Sequence, residues 1–165
     1  MSSGNAQTSP KASVPIITLE RRTDAFGVAP AYKLSIYADG TVIYKAIPHE
    51  TSPVYRNEKK RRQRRSATGR ISESDVGQLI SEFERIDYRS LKDSYPMSDG
   101  FGPTPTEDCP VMYTDQPSAS TSFAMNGKSK TVFHYLGCKG NDAAEKLTRL
   151  ENRIDEIVGT EKWLK

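Results

Sequence analysis

The densest concentration of charge in the sequence is the segment KKRRQRR, residues 59–65, which we call the basic segment. Its cations can neutralise several phosphates of a nucleic acid or attract an anionic lipid surface, and the first of these attractions weakens steeply with salt. The segment has no aromatic residue on which a base could stack. The candidate residues for an anionic partner are Lys59, Lys60, Arg61, Arg62, Arg64 and Arg65.

The basicity of the chain is local. The net charge is +3, and without the six cations of the basic segment it would be −3. This argues against a protein built throughout to coat nucleic acid and for a single patch at most. A solvent-exposed edge strand or loop explains the same residues, because Lys and Arg on an edge strand prevent edge-to-edge association. Three alternatives therefore stay open: an exposed edge, an anionic surface or polysaccharide, and a nucleic acid.

Two cysteines, Cys109 and Cys138, are the disulfide candidates. An even number of cysteines is compatible with a bond in an oxidising compartment, and two unpaired thiols fit the sequence equally well. A bond would close a loop of about 30 residues and contribute roughly 3–4 kcal/mol by the chain-entropy argument.

No motif in the sequence predicts catalysis or a metal site. The two histidines, His49 and His134, and the two cysteines lack the spacing of a zinc framework. There is no GxSxG elbow, P-loop or HExxH helix. We expect no cofactor and no metal, and we favour a non-catalytic role. An enzyme would need a buried cluster of polar side chains with perturbed protonation.

The composition indicates one domain with tails. The chain has 165 residues, of which 35% are hydrophobic and 27% charged. No apolar stretch approaches the roughly 18 residues of a transmembrane span, and no signal peptide is visible. Residues 1–14 are small and polar, so they are expected to be a disordered tail. They also resemble the tether that follows the lipidated cysteine of a bacterial lipoprotein.

Two hairpins and a preceding strand are predicted from local sequence. β-Branched residues predict a strand over 15–22. Asp39-Gly40, between two β-prone runs, predicts a hairpin with a type I′ turn, in which both central residues have φ > 0. Asn126-Gly127 predicts a second hairpin.

Two amphipathic helices are also predicted. The first begins at Ser72, which forms a capping-box pattern with Asp75. Gly77 lies in its interior, and we expect it to allow close packing on the sheet. The second helix is capped by Asn141 or Asp142. The apolar stripes of the two helices are Val76, Leu79, Ile80, Phe83 and Ile86, and Ala143, Leu147, Leu150, Ile154 and Ile157.

These elements predict an α+β domain over residues 15–165. Its antiparallel sheet has about five or six strands, with two helices packed on one face. Gly159 is expected just past the second helix, and Trp163 is expected to fold back over the edge of the core. Residues 91–117 are rich in Pro, Gly, Ser and Asp and are predicted to form a long loop.

Five stretches carry a family resemblance. ITLERR…FGVAPAYKLSIYADGTVIY, TGRIS, SLKDSY, NGKSKTVFHY and IDEIVGTEKWL resemble, in order and spacing, an uncharacterised bacterial family, domain of unknown function 6438. The resemblance covers roughly residues 15–164. It implies an exported or lipid-anchored protein, because members are frequently so. It also implies a strand with outward charges at the basic segment. It implies no particular activity.

The chain departs from the family pattern in one place. The family typically has Cys-Phe-Gly-x-Cys-Pro where this sequence has Ala25 and Ala29 at the cysteine positions. If those thiols do redox, metal or cross-link chemistry in relatives, that chemistry is absent here; they can equally be a structural clip. Either the cysteines were replaced by design, or this member has lost them and uses Cys109 and Cys138 instead.

The sequence therefore predicts an exported bacterial domain, periplasmic or lipid-anchored, that is a non-catalytic binding or structural module. A cytoplasmic location is the alternative. The competing function is binding of nucleic acid or an anionic surface through the basic segment. The partner and the oligomeric state stay open. A binding module would display a concave sheet face or a pocket formed between Leu91 and Pro117.

Overall fold

The computed structural model describes residues 13–48, 65–96 and 105–164. Most of the predicted tail, residues 1–12, and residues 97–104 of the predicted long loop lie outside these ranges. Within them the elements follow in the order β1 (Ile17–Arg22), β2 (Tyr32–Ile36), β3 (Thr41–Ala46), β4 (Ser66–Arg70), α1 (Glu73–Arg85), a 3-10 turn (Tyr88–Ser90), β5 (Ser94–Tyr95), β6 (Val111–Met112), β7 (Ser118–Met125), β8 (Lys128–Tyr135), β9 (Cys138–Lys139), α2 (Asp142–Val158) and α3 (Glu161–Leu164).

The fold combines one large sheet with helices, which confirms the predicted α+β class. The strands of the sheet lie in the order β4-β3-β2-β1-β7-β8-β5. Neighbours are antiparallel except β5, which pairs parallel with β8. The described sheet thus has seven strands, more than the five or six expected, because the two-residue β5 lies in the predicted loop. β6 and β9 form a separate two-stranded ribbon.

Both predicted hairpins form, but only the second has the type I′ turn. Asn126 and Gly127 have φ of 54° and 72°, and the flanking residues are paired directly. In the first hairpin Gly40 has φ 87°, whereas Asp39 does not adopt a positive φ, so our prediction of its turn type was wrong. There the Gly40 N–H donates to the carbonyl of Tyr37. The connection between β2 and β3 is therefore longer than the two residues of a type I′ turn.

The helices begin where their capping residues predict. Ser72 Oγ accepts from the Asp75 N–H at 3.0 Å, and the Asp75 carboxylate accepts from the Ser72 N–H at 3.1 Å, which confirms the capping box. The side chain of Asn141, and not that of Asp142, accepts from the first amides of α2. Gly159 ends α2 with φ 68°, as expected of a C-terminal glycine.

The core lies between one face of the sheet and the two long helices. The sheet contributes alternate residues of β1, β2 and β3, and the helices contribute apolar stripes. Its fully buried members include Ile17, Leu19, Leu34, Ile36, Val42, Tyr44, Leu79, Phe83, Leu147 and Ile154. Three residues of the predicted stripes, Ile80, Ala143 and Ile157, are only partly buried.

Trp163 closes the core beside β4, as predicted. Its ring lies 5.3 Å from that of Tyr44. The close approach is made possible by Gly69, where a Cβ would lie 2.9 Å from Trp163 Cζ2. Gly77, which we expected to pack closely, is exposed and has no atom within 4 Å of a Cβ placed there, so that prediction was wrong.

None of the helices in the described ranges combines the length and apolar character that a bilayer crossing requires.

Candidate functional site

The basic segment lies almost wholly outside the described residues. Lys59, Lys60, Arg61, Arg62 and Arg64 fall there, and Arg65 is described. Arg65 is exposed, and its carbonyl accepts from the Ala46 N–H at 2.9 Å immediately before β4. β4 is an edge strand, so the basic segment leads directly into one edge of the sheet.

The long connections of the fold start and finish on the same side of the sheet, at one set of strand ends, which we call the loop end. β1, β3, β5 and β8 end there, and β2, β4 and β7 begin there, as the pairings Tyr32–Ala46 and Arg22–Ser118 show. Three connections therefore begin and end side by side: 23–31, 47–65 and 96–117. The hairpin turns lie at the opposite ends of the strands. Surface features separated in sequence are brought together here.

The connection between β1 and β2 has a fixed backbone around residues 24–29, which we call the tip loop. One carboxylate oxygen of Asp24 accepts from the N–H groups of Phe26 and Val28 at 2.9 and 3.1 Å, and the other accepts from that of Ala29 at 3.2 Å. These bonds, that from Val28 first, hold the pKa of Asp24 below its ordinary value. The side chains of Phe26 and Val28 are 61% and 66% exposed.

Two alanines, Ala25 and Ala29, bracket these apolar residues. Ala25 is exposed and Ala29 is half-buried, on either side of the Phe26–Val28 stretch. The Asp24 carboxylate holds this loop through its three hydrogen bonds to backbone amides.

A disulfide fixes the connection 96–117 at the loop end. Cys109 and Cys138 are bonded, with their Cα atoms 5.0 Å apart and both residues buried. The bond joins the segment before β6 to β9. Beside it, the amide nitrogen of the Asn141 side chain donates to the Asp108 carbonyl at 2.7 Å. The ribbon is thereby tied to the start of α2.

This ribbon also displays apolar side chains on a fixed backbone. The Tyr113 N–H donates to the Gly137 carbonyl, and the Tyr113 carbonyl accepts from the Tyr135 hydroxyl at 2.8 Å. Nevertheless the side chains of Val111 and Tyr113 are exposed. Together with Phe26 and Val28, they bring four large apolar side chains to the loop end.

A buried ionisable pair was missed by the sequence analysis. His134 on β8 and Glu151 on α2 are each 1% exposed, and Nδ1 lies 2.9 Å from Oε1. The remaining polar atoms, His134 Nε2 and Glu151 Oε2, have no hydrogen-bond partner among the described residues. The sequence feature that could have revealed this pair is Glu151, a charged residue on the buried face of α2 between Leu150 and Ile154.

A second polar cluster fastens the other end of α2. The Asp155 carboxylate accepts from Arg21 Nε at 2.7 Å, from the Tyr32 hydroxyl at 2.7 Å and from the Thr160 hydroxyl at 2.8 Å. Burial, followed by the charge of Asp155, raises the pKa of Tyr32 far above its ordinary value, so Tyr32 remains a hydrogen-bond donor. Each carboxylate oxygen of Asp155 already has a partner.

A shallow depression of about 680 Å³ lies over this cluster, between α2 and α3. It is lined by Tyr32, Asp155, Lys162 and their neighbours. The pocket expected between Leu91 and Pro117 depends in part on residues 97–104, which lie outside the described ranges. In the described part of the chain, no three His, Cys, Asp or Glu side chains are grouped as metal ligands would be.

The two polar clusters join helix to sheet. They supply the buried polar groups that an enzyme would need, yet their members face one another across the contact between α2 and the strands. The loop end, by contrast, presents its side chains outward. The arrangement is that of a scaffold with exposed apolar side chains at the loop end.

The sequence profile of one protein family, described as Domain of unknown function (DUF6438), matches residues 15–158. This is the family that the five stretches indicated. No curated protein matches the chain.

Proposed function

Because the chain belongs to the DUF6438 family, a domain of unknown function, we propose its function from the surface it displays. The proposal is an exported, non-catalytic module that binds a partner through the loop end. The helices and the opposite hairpin turns serve as the scaffold that positions this edge.

The observation that carries the proposal is the exposure of apolar side chains on a backbone that is already fixed. Phe26 and Val28 stand on a loop held by three hydrogen bonds to Asp24. Exposed apolar side chains that recur at one site are typical of interaction surfaces. A fixed backbone lowers the entropic cost of association, because little has to be ordered on binding.

Export is supported by the disulfide. Cys109 and Cys138 are bonded and buried, and disulfides persist mainly in oxidising compartments. The small polar residues 1–14 agree with a tether, as does the frequent export of the resembling family. A thiol-alkylation assay on protein in its own cells tests this point: we expect no free thiol before reduction, and two free thiols would contradict export.

Site-specific photo-crosslinking tests the binding surface. A photoreactive residue replaces Phe26 in one variant and Val14 in a control. Val14 is also exposed, but it lies beside Ile16, which pairs with Ile36 at the opposite edge of the sheet. We expect discrete crosslinked products in the producing cells from position 26 only. Identical patterns from the two positions, or no product from either, would contradict a binding role for the loop end.

The basic segment supports a second candidate function, binding of a nucleic acid. The described residues that flank its connection, Pro48 and Arg65, both lie at the loop end, beside the tip loop, since the Ile47 N–H donates to the Ala31 carbonyl. Fluorescence anisotropy against single- and double-stranded nucleic acid at two salt concentrations tests this function. The control changes all six cations of the segment to Gln. Binding that is lost in this variant supports the function, and equal binding by both proteins refutes it.

A further inference from the structure

We propose that the partner of the tip loop is an anionic lipid surface, into which Phe26 and Val28 insert. This inference rests on the proposed function, because it names the partner of the same loop end. The apolar tip enters the boundary between head groups and acyl chains, and the neighbouring cations contact the lipid phosphates.

The tip has the form that shallow insertion requires. Phe26 and Val28 are two residues apart and are both more than half exposed. Their N–H groups already donate to Asp24, so no free amide of these residues has to be desolvated on insertion. The Asp24 carboxylate is the one acid in the tip loop, and it is bonded to backbone amides through both oxygens.

Cations lie beside the tip on the neighbouring strands. Lys33, just after the start of β2, is the cross-strand partner of Lys45 near the end of β3, and both are exposed. Arg65 is exposed one position before β4. The facing acid on β1, Glu20, is paired with Arg22. Two lysines directly opposite each other repel, so an anionic partner would relieve an unfavourable arrangement.

Within the described ranges, two exposed acids of the loop end lie on the other side. Glu107 and Asp115 belong to the connection that precedes β7, and β1 separates β7 from β2 and β3. Among the described residues, the cations Lys33, Lys45 and Arg65 therefore lie in the half of the loop end that carries the tip loop. The connection from β3 to β4, whose flanking described residues are Pro48 and Arg65, begins and ends in this same half.

Lipid explains both kinds of side chain together. Amphipathic elements bind membranes through buried apolar area combined with attraction to anionic head groups. A phosphate backbone alone would use the cations and leave Val28 without a role. A protein groove could accept the apolar tip, and that alternative is an outcome of the test.

The test is flotation with vesicles of phosphatidylcholine alone and of phosphatidylcholine mixed with phosphatidylglycerol. The full chain is compared with the double variant Phe26→Ser/Val28→Ser and with the matched control Val14→Ser. We expect binding to the mixed vesicles only, a loss of about tenfold or more in the double variant, and no change in the control. Because all three side chains are exposed, the thermal unfolding midpoint should be the same for each protein.

Two results would overturn the inference. Equal binding by the double variant and the unaltered chain would mean that the cations adsorb without insertion of the tip. Absence of binding to mixed vesicles would exclude the lipid partner altogether. In that case a discrete protein adduct from position 26 would leave the proposed binding function intact, whereas no crosslinked product would refute both.

Discussion

The buried pair His134–Glu151 allows a sharp test of how α2 is held on the sheet. Both side chains are 1% exposed, and one hydrogen bond of 2.9 Å joins them. We consider three variants: Glu151→Met, His134→Leu, and the two changes together. Each replaces a polar side chain with an apolar one of similar volume. Glu151→Gln is a milder control, since its side-chain amide can still form a hydrogen bond with the His134 ring.

The expected magnitudes follow from what each variant leaves unpaired. Glu151→Met removes the partner of His134, whose Nε2 already has none among the described residues. Breaking a buried pair from one side costs about 3–5 kcal/mol, because an uncompensated polar or charged group remains. The double variant leaves no such group, and replacement of a whole buried pair by apolar residues is often neutral or stabilising. We therefore expect the double variant to fall within about 1 kcal/mol of the unaltered protein.

Urea denaturation with the disulfide intact measures these differences. The single tryptophan, Trp163, is buried against Tyr44 and reports unfolding by its fluorescence. The expected result is a large loss in each single variant, a small loss in Glu151→Gln, and strong non-additivity in the double variant. A double variant that loses as much as the two singles combined would refute the reasoning, since the pair would then act as two independent packing residues.

Three further predictions concern the scaffold. Replacing both cysteines with Ala should lower the free energy of unfolding by about 3–4 kcal/mol for a bond across 29 residues, measured by urea denaturation. Because the pKa of Asp24 is lowered, its stabilising hydrogen bonds are present at neutral pH and are lost as the pH falls through that pKa. An NMR titration should therefore show the chemical shift of the Phe26 amide changing over the same pH range. The control is Asp24→Asn, in which this change should be absent. Gly77→Ala should raise the free energy of unfolding by about 1 kcal/mol because the site is open. Gly69→Ala should instead displace Trp163 and red-shift its fluorescence emission. Equal effects of the two substitutions on stability would contradict the packing described.

Local features were predictable where residues a few positions apart decide the outcome. The capping box of Ser72 and Asp75 closes within one helical turn, and the Asn126-Gly127 turn depends on two residues that tolerate positive φ. The predicted turn type at Asp39-Gly40 was wrong for a long-range reason. The Gly40 carbonyl accepts from the Ile71 N–H, so the turn is shaped by a residue beyond β4.

Strands too short to show an alternating pattern of apolar and polar residues could not be predicted. β5 and β6 have two residues each, and they exist because distant partners pair with them: β8 in one case and β9, beside the disulfide, in the other. The same limit applies to the loop end. Composition revealed the basic segment, but only the strand order shows that its connection begins and ends next to the tip loop.

The position of β1 in the middle of the sheet has a consequence for how the chain folds. During synthesis, β1 to β4 can pair with one another as soon as residue 70 is available, because they are consecutive neighbours. The other side of β1 has to wait for β7, where Ile17 meets Phe123. Such a distant pairing is slow to form, so a half-sheet that formed before it would have its first strand as an open edge. Glu20 and Arg22 place charged side chains along that edge, and charges on an open edge strand disfavour pairing with another chain.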